Sequence, residues 1–379
     1  MKENNYESSL RTERLASSLN VAIIIAFVGI LMTIASMLFF AAAYSMGVND
    51  DNDQQPEQRP VTMNQISDLY YKNPFIRNTI AFYKYSLFSS VSGDEVICGK
   101  DDFLFEVKNR GNGYDYWLDV SGKLNFTKDE GEKIAQYVKE ETERYAELGI
   151  SYYLVIVPNS QTVYPEKLPY SVPRPSGISR RDSLLGYMQL FGVQNYIDTT
   201  INLERHAKDY VLYNNTENSV TTLGAYFAYC DIIKKLNEDG FSLITIPESS
   251  LVYQLHHTKS RDLAQRGGIS EYIENLSVSL TDRMERDYLT LGDSEITHTV
   301  YNHTDDGNTL RVFVSLSHES DKSAFMYYFA SSFDECFIKY SSEPSFDEVA
   351  KRGPDIYVRI IHENELGLFL QIPPSQDEE

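Results

Sequence analysis

From Leu15 to Asn49 the sequence holds no charged residue, and its middle, VAIIIAFVGILMTIASMLFFAAAY, is almost wholly apolar. About 20 such residues cross a bilayer core, whereas the apolar region of a cleavable export signal runs to about 7–15. The length therefore favours an uncleaved transmembrane helix over residues 19–48, with Ala41 to Ala43 as the alternative cleavage point. Lys2, Arg11 and Arg14 precede the span and NDDNDQQPEQRP follows it. That charge bias puts residues 1–18 in the cytoplasm and everything beyond about Val48 outside, as a single-pass membrane protein. Residues 49–62 read as an acidic linker with Pro56 and Pro60, too poor in apolar side chains to fold alone. The remainder, 63–379, is long enough for one large extracytoplasmic domain.

The chain carries 55 acidic against 34 basic residues, a net charge of −21, which excludes a nucleic-acid binder held by phosphate contacts. An acidic surface with 28 tyrosines suits neutral or polyhydroxylated partners. Cys98, Cys230 and Cys336 are too few and too scattered for a disulfide framework or a zinc site. They read as small buried hydrophobes. His256-His257 has no partner at metal-ligand spacing, so no metal is expected. No glycine-rich phosphate loop follows a strand, so no cofactor is expected either.

Within 63–379, helical and strand patterns alternate as an α/β fold requires. TKDEGEKIAQYVKEETERYAELG opens with a capping box, Thr127 to Glu130, and sets Ile134, Val138, Tyr145 and Leu148 on one face before Gly149 stops it. ISYYLVIVP follows as a buried parallel strand. RDSLLGYMQLFG reads as a helix, VQNYID as a strand ending at Asp198, and TLGAYFAYCDIIKKLNEDG as a helix turning Ala225, Ala228, Ile232 and Leu236 inward. LRVFVSLS, DECFIKY and GPDIYVRII read as strands, with the helix SAFMYYFASSF after the first. Residues from about 240 to 308 show no clear period and read as a loop-rich insertion. Ligands in such sheets sit beyond the carboxyl ends of the strands, here just after Val157, Asp198, Val314 and Ile361.

Several blocks, in order, give the chain a family likeness. They are NPFIRNTI, VICGKDDFLFEVKN, IVPNSQTVYPEKLP, LYNNTENSVTTLGAYFAY, SRDLA, RVFVSLSHES and RGPDIYVRIIHENEL. In that order the chain resembles the alginate O-acetyltransferase-like (DHHW) proteins. The resemblance implies a three-layer SGNH-hydrolase-like domain with a flavodoxin-like, mostly parallel sheet, an insertion and one preceding transmembrane helix. It also implies acyl transfer or ester hydrolysis on a polysaccharide. In that family a strand-end serine attacks an acyl carbonyl, a histidine takes its proton, and an aspartate two residues before the histidine orients the ring.

Carried over by position, the nucleophile falls on Ser317, the aspartate on Glu217 and the histidine on Ser219. Val220 replaces the tryptophan after the histidine, Ser315 and Leu316 the Gly-Asp before the nucleophile, Ser160 a strand-end lysine, and Asn364 the arginine of a Glu-Arg pair. The candidate cleft is therefore lined by Ser160, Tyr164, Ser315 and Glu363. A glutamate could orient a base, but a serine hydroxyl cannot be one near neutral pH. Loss of general-base catalysis typically lowers a rate by about 10²–10⁴, and a broken triad loses more because its members act as a unit. The resemblance thus implies a degenerate site, a pseudoenzyme that serves cell-envelope glycan acetylation or binding as an accessory. Its partner would be a cell-envelope polysaccharide or a membrane acyltransferase.

Two other readings stay open. Ser317 could be an active acetyltransferase or acetylesterase nucleophile with a base from His298, His303 or His318, although strand alternation points His318 away from it. Alternatively, the protein could be a non-catalytic assembly component of the envelope. Glu217 and Ser219 also have a plain explanation as cap and dipole residues ahead of a helix. Gly292-Asp293-Ser294, a literal match to the nucleophile tripeptide, reads as turn chemistry because no buried strand and following helix surround it.

Overall fold

The computed structural model describes isolated positions between 25 and 36, then residues 81–86, 90–91, 95–108, 114–169, 172, 177–282, 288–292, 296–301 and 310–371. The span at 19–48 lies almost wholly outside the described residues, and the linker at 49–62, Asp293-Ser294 and His303 lie wholly outside them. Among the described residues no helix is long and apolar enough to cross a membrane.

The chain divides into two compact units. One comprises 1–98 with 264–273. There strand β1 (Val96–Cys98) is formed, Phe82 packs on Tyr272 with ring centres 5.2 Å apart, and Arg266 pairs with Glu95 at 3.4 Å. The other comprises 99–263 with 274–379 and carries the candidate site.

Its elements begin with β2 (Leu104–Glu106), α1 (Tyr116–Val120), α2 (Lys128–Ala146), β3 (Ser151–Val157) and α3 (Ser160–Val163). Next come α4 (Arg180–Leu190), β4 (Tyr196–Asp198), α5 (Thr200–His206) and α6 (Thr222–Glu238). β5 (Leu251–Lys259), β6 (Glu274–Asp282), β7 (Tyr288–Gly292) and β8 (Ile296–Tyr301) lie in the stretch expected to be loop-rich, with the short α7 (Asp262–Arg266) running on into the segment of the first unit. β9 (Arg311–Leu316), α8 (Asp321–Ser332), β10 (Glu335–Tyr340), α9 (Phe346–Arg352) and β11 (Ile356–His362) complete it, with a 3₁₀ helix at Glu363–Leu370.

The central sheet runs β4-β3-β11-β9-β10-β8-β7. The β4-β3, β3-β11, β11-β9 and β9-β10 pairings are parallel, and only β8 and β7 join antiparallel. The stretch between α6 and β9 thus extends the sheet edge with β7 and β8 and builds a separate antiparallel pair, β5-β6. Alternation along these strands is period 2, which shows poorly in Thr- and Ser-rich segments exposed along most of their length.

Buried runs on β3 and β11 reflect cover on both faces. Tyr152, Leu154 and Ile156 of β3, Phe313 of β9 and Tyr357 and Ile361 of β11 meet Ile134, Val138 and Tyr145 of α2 and Leu184 and Met188 of α4. Leu148, expected on that face, is half exposed (50%), because the helix ends at Ala146 and Gly149 turns the chain at φ +74°. The alternate strand residues face α6 and α8. Tyr153 of β3 donates to Asp239 at the end of α6, 2.9 Å. Ala225, Ala228, Ile232 and Leu236 are fully buried there, as the helical period requires. Gly224 at the start of α6 has a packing reason: a Cβ would lie 2.1 Å from the Leu212 carbonyl oxygen. This close approach brings the Tyr213–Val220 segment against the sheet end.

Candidate functional site

Parallel strands running the same way bring their carboxyl ends to one side of the sheet, and the loops leaving β3, β9 and β11 carry Ser160, Ser317 and Glu363. Ser317 is the first residue after β9 and is 6% exposed. Its N–H donates to the Ile360 carbonyl (3.1 Å), continuing the β9-β11 ladder. Its hydroxyl oxygen then accepts the backbone N–H of His362 (3.2 Å), where a strand would have supplied a carbonyl. The Ser317 oxygen therefore closes the ladder between two strands as an acceptor, while its O–H is turned to the Glu365 carboxylate.

The side chain of His362 points to the α8 face. Its Nε2–H donates to Asp321 Oδ2 at 2.5 Å, and both side chains are 1% exposed. Burial disfavours the imidazolium, but the charge and hydrogen bond of Asp321, with Glu365 and Glu363 nearby, outweigh it and raise the His362 pKa above the usual range. The pair is thus held together by a short charge-assisted contact that favours the protonated ring. Nδ1 of His362 is buried and makes no hydrogen bond. Asp321 is the first residue of α8, so the helix N-terminus also favours its charge. Its second oxygen accepts the N–H of Val220 (3.2 Å), joining this cluster to the Glu217–Ser219 segment.

His318 stacks on His362, rings 4.1 Å apart and 16° from parallel, with Nε2 3.7 Å from Glu365 Oε1. Its ring is thus turned to His362 and Glu365, and no hydrogen bond joins it to the Ser317 hydroxyl. Burial, then the neighbouring His362 charge, pushes the His318 pKa down to about 3, so it is neutral. Glu365 is raised by burial, with the Ser317 hydroxyl and His362 opposing. His318, Asp321 and His362 each offer a ligand atom within 4.8 Å of the others. With the two imidazoles stacked, however, their lone pairs lie in near-parallel planes, and one cation cannot occupy both. The trio suits an ion pair under a neutral ring better than a metal.

The family's acid–base positions form a separate pair. Ser219 is fully buried, donates to Glu217 Oε2 (3.0 Å) and accepts from Asn214 Nδ2 (2.8 Å). Glu217 turns its carboxylate to Arg261, 3.0 Å. The helix cap is Thr221, which accepts from Gly224 N–H (3.1 Å), so the capping explanation for Ser219 is corrected.

The four expected cleft residues divide. Ser160 is buried and donates to Gln161 Oε1 (3.2 Å) and Asn218 Oδ1 (3.5 Å), next to the Glu217–Ser219 pair in sequence. Tyr164 donates to the Tyr210 carbonyl (3.1 Å) and accepts from Leu212 N–H (2.8 Å), tying down the segment ahead of the pair. Glu363 is 1% exposed, and its Oε2 accepts from Asn159 N–H (2.9 Å) and the Thr162 hydroxyl (2.8 Å). Burial raises its carboxyl to about 7 despite Arg181. Ser315 is a correction: its hydroxyl meets the Tyr357 hydroxyl at 3.0 Å on the α2 face, away from the strand-end loops.

Of the imidazoles considered as replacement bases, His298 belongs elsewhere. It lies on β8, stacks on Phe337 and bonds Glu335 at the amino end of β10 (2.7 Å), opposite the carboxyl ends. No ring nitrogen among the described residues hydrogen-bonds Ser317 Oγ. Sequence reasoning missed His362, Asp321 and Glu365. The available signal was positional: His362 directly follows Ile361, one of the strand ends where ligands gather.

No protein-family model matches the sequence, and no curated protein matches it. Solved structures do. A DHHW family protein from Eubacterium siraeum aligns over 75% of this chain and 100% of its own, with 15% identity and a TM-score of 0.52. Bacillus cereus PatB1, solved with a sulfonyl adduct, aligns over 73% and 96% with 11% identity and a TM-score of 0.50. The O-acetyltransferase domain of Pseudomonas putida AlgJ aligns over 76% and 96% with 13% identity and a TM-score of 0.47. The chain therefore has the mixed α/β fold, with its parallel-rich sheet, that the order of its sequence blocks implies.

Proposed function

We propose that this protein is a catalytically degenerate SGNH-hydrolase-like protein that acts in cell-envelope glycan acetylation or binding as an accessory. Its N-terminal apolar segment would hold it in the membrane with the domain outside. The observation that carries this reading is the state of Ser317. Its oxygen closes a backbone ladder through His362 N–H, while the ring of His362 is committed to Asp321. A serine becomes a nucleophile only when an adjacent base removes its proton. Here the position of the family's base holds a buried hydroxyl that leans on Glu217.

The active reading draws on a different observation, the unbonded Nδ1 of His362 beside a strand-end serine. The test separates the two. The purified full chain in detergent is offered p-nitrophenyl acetate and an O-acetylated oligosaccharide. No release above background, unchanged in Ser317→Ala, is expected. Turnover abolished by both Ser317→Ala and His362→Ala would establish the active reading instead.

A further inference from the structure

A hollow of about 490 Å³ is lined by Tyr210, Leu223, Glu248, Ser249, Leu251 and Tyr253, none of them part of the Ser317 cluster. Its size suits one or two small rings. Its makeup is specific. Tyr210 and Tyr253 meet edge to face, 5.6 Å apart at 84°, and present two apolar walls at right angles. Glu248 accepts from the Tyr210 hydroxyl through Oε1 (3.0 Å), and its side chain is exposed beside exposed Ser249. Tyr253 is 47% exposed although it lies in a β-strand.

The feature continues beyond the hollow. Leu251, Tyr253 and Leu255 sit at alternate positions of β5 and so share one face, and Leu255 is 53% exposed. At a rise of about 3.4 Å per residue this makes an apolar strip roughly 13 Å long. A compact ligand would not need it, whereas a chain of linked rings would.

We infer that this hollow and the β5 strip form a binding site for a neutral glycan chain. This rests on the proposed glycan-directed role and adds the place and the charge class. Sugar rings carry C–H faces and hydroxyl edges. The tyrosine walls fit the first, since an aromatic ring offers an apolar face with a polar tip. Glu248 Oε2 and the Ser249 hydroxyl fit the second. No lysine or arginine lines the hollow, so an anionic sugar would meet Glu248 uncompensated, on a chain of net charge −21. The site therefore selects against polyuronates.

The experiment is calorimetric titration of the full chain in detergent with cellohexaose, with hexa-N-acetylchitohexaose and with an oligomannuronate of equal length. Saturable binding of at least one neutral oligomer is expected, with no oligomannuronate binding at the same concentrations. Tyr253→Ala should weaken binding by about tenfold or more without changing the melting temperature, and Tyr253→Phe should keep it. Ser317→Ala should bind as the parent does, which separates this site from the fate of the catalytic position. The inference is overturned if no neutral oligomer binds at 10 mM, if Tyr253→Ala binds normally, or if the oligomannuronate binds more tightly. It is also overturned if choline, a cation that aromatic rings and a carboxylate could hold, binds while every neutral oligomer fails.

Discussion

Two acid-bearing pairs meet at the end of the sheet, and they have exchanged roles. Glu217 and Ser219 stand where the family likeness places an aspartate and its histidine, yet they carry no imidazole, and their charge is answered by the half-exposed Arg261. Asp321 and His362 stand outside that pattern, yet they hold the imidazole, and both are sealed from solvent. The comparison shows that an imidazole near a strand-end serine is not by itself a catalytic base. What matters is which of its atoms faces the hydroxyl. Here it is the backbone N–H, and the ring faces Asp321 instead.

The difference can be broken most forcefully at the buried pair. Asp321→Ala breaks the buried carboxylate–imidazole pair and frees the Val220 N–H, so it should destabilise the fold by about 3–5 kcal/mol in urea unfolding. Gly224→Ala attacks the packing that presses the Ser219 segment to the sheet end. With a Cβ 2.1 Å from Leu212 O, it should destabilise by about 2–3 kcal/mol in the same assay.

Protons sharpen the contrast between the two stacked rings. His318 has its pKa depressed to about 3, so between about pH 6.5 and 3 the unfolded chain takes up a proton that the native state refuses. Stability should fall across that window by up to about 5 kcal/mol, and His318→Phe should flatten the fall. His362 is raised, so its contribution is complete below the ordinary imidazole range and is lost as pH rises through its native pKa. A pH series of urea midpoints reads both limbs.

At the other pair the effects shrink. Ser219→Ala removes one donor and one acceptor from a buried position and should cost about 1 kcal/mol. Glu217→Gln touches a partly exposed ion pair, so less than about 1 kcal/mol is expected. If Glu217→Gln proved as severe as Asp321→Ala, the exchange of roles would be wrong.

Much of this was legible in the residues. Long periodic helices such as Lys128–Ala146 and Thr222–Glu238, and apolar strands such as Ser151–Val157, announce themselves because burial on a fixed period leaves a pattern. The strands of 251–301 did not. β5 is exposed along most of its length, so its side chains were never selected by a core. The strand-end position of Ser317 followed from topology, whereas Ser160, Tyr164 and Glu363, expected to line a cleft, are buried. The orientation of Ser315 did not, nor did the His362–Asp321 pair. Those depend on how a chain turns after its strand, and nothing in the local spacing of SLSHESD or RIIHENEL encodes a contact across about 40 positions.

The central claim concerns the reactivity of one hydroxyl, and covalent trapping reads it directly. The full chain is incubated with phenylmethanesulfonyl fluoride near neutral pH and digested, and the peptide containing Ser317 is weighed by mass spectrometry. An unmodified peptide, in parent and His362→Ala alike, is the expected result. A stoichiometric sulfonyl adduct on Ser317 that disappears in His362→Ala would contradict it.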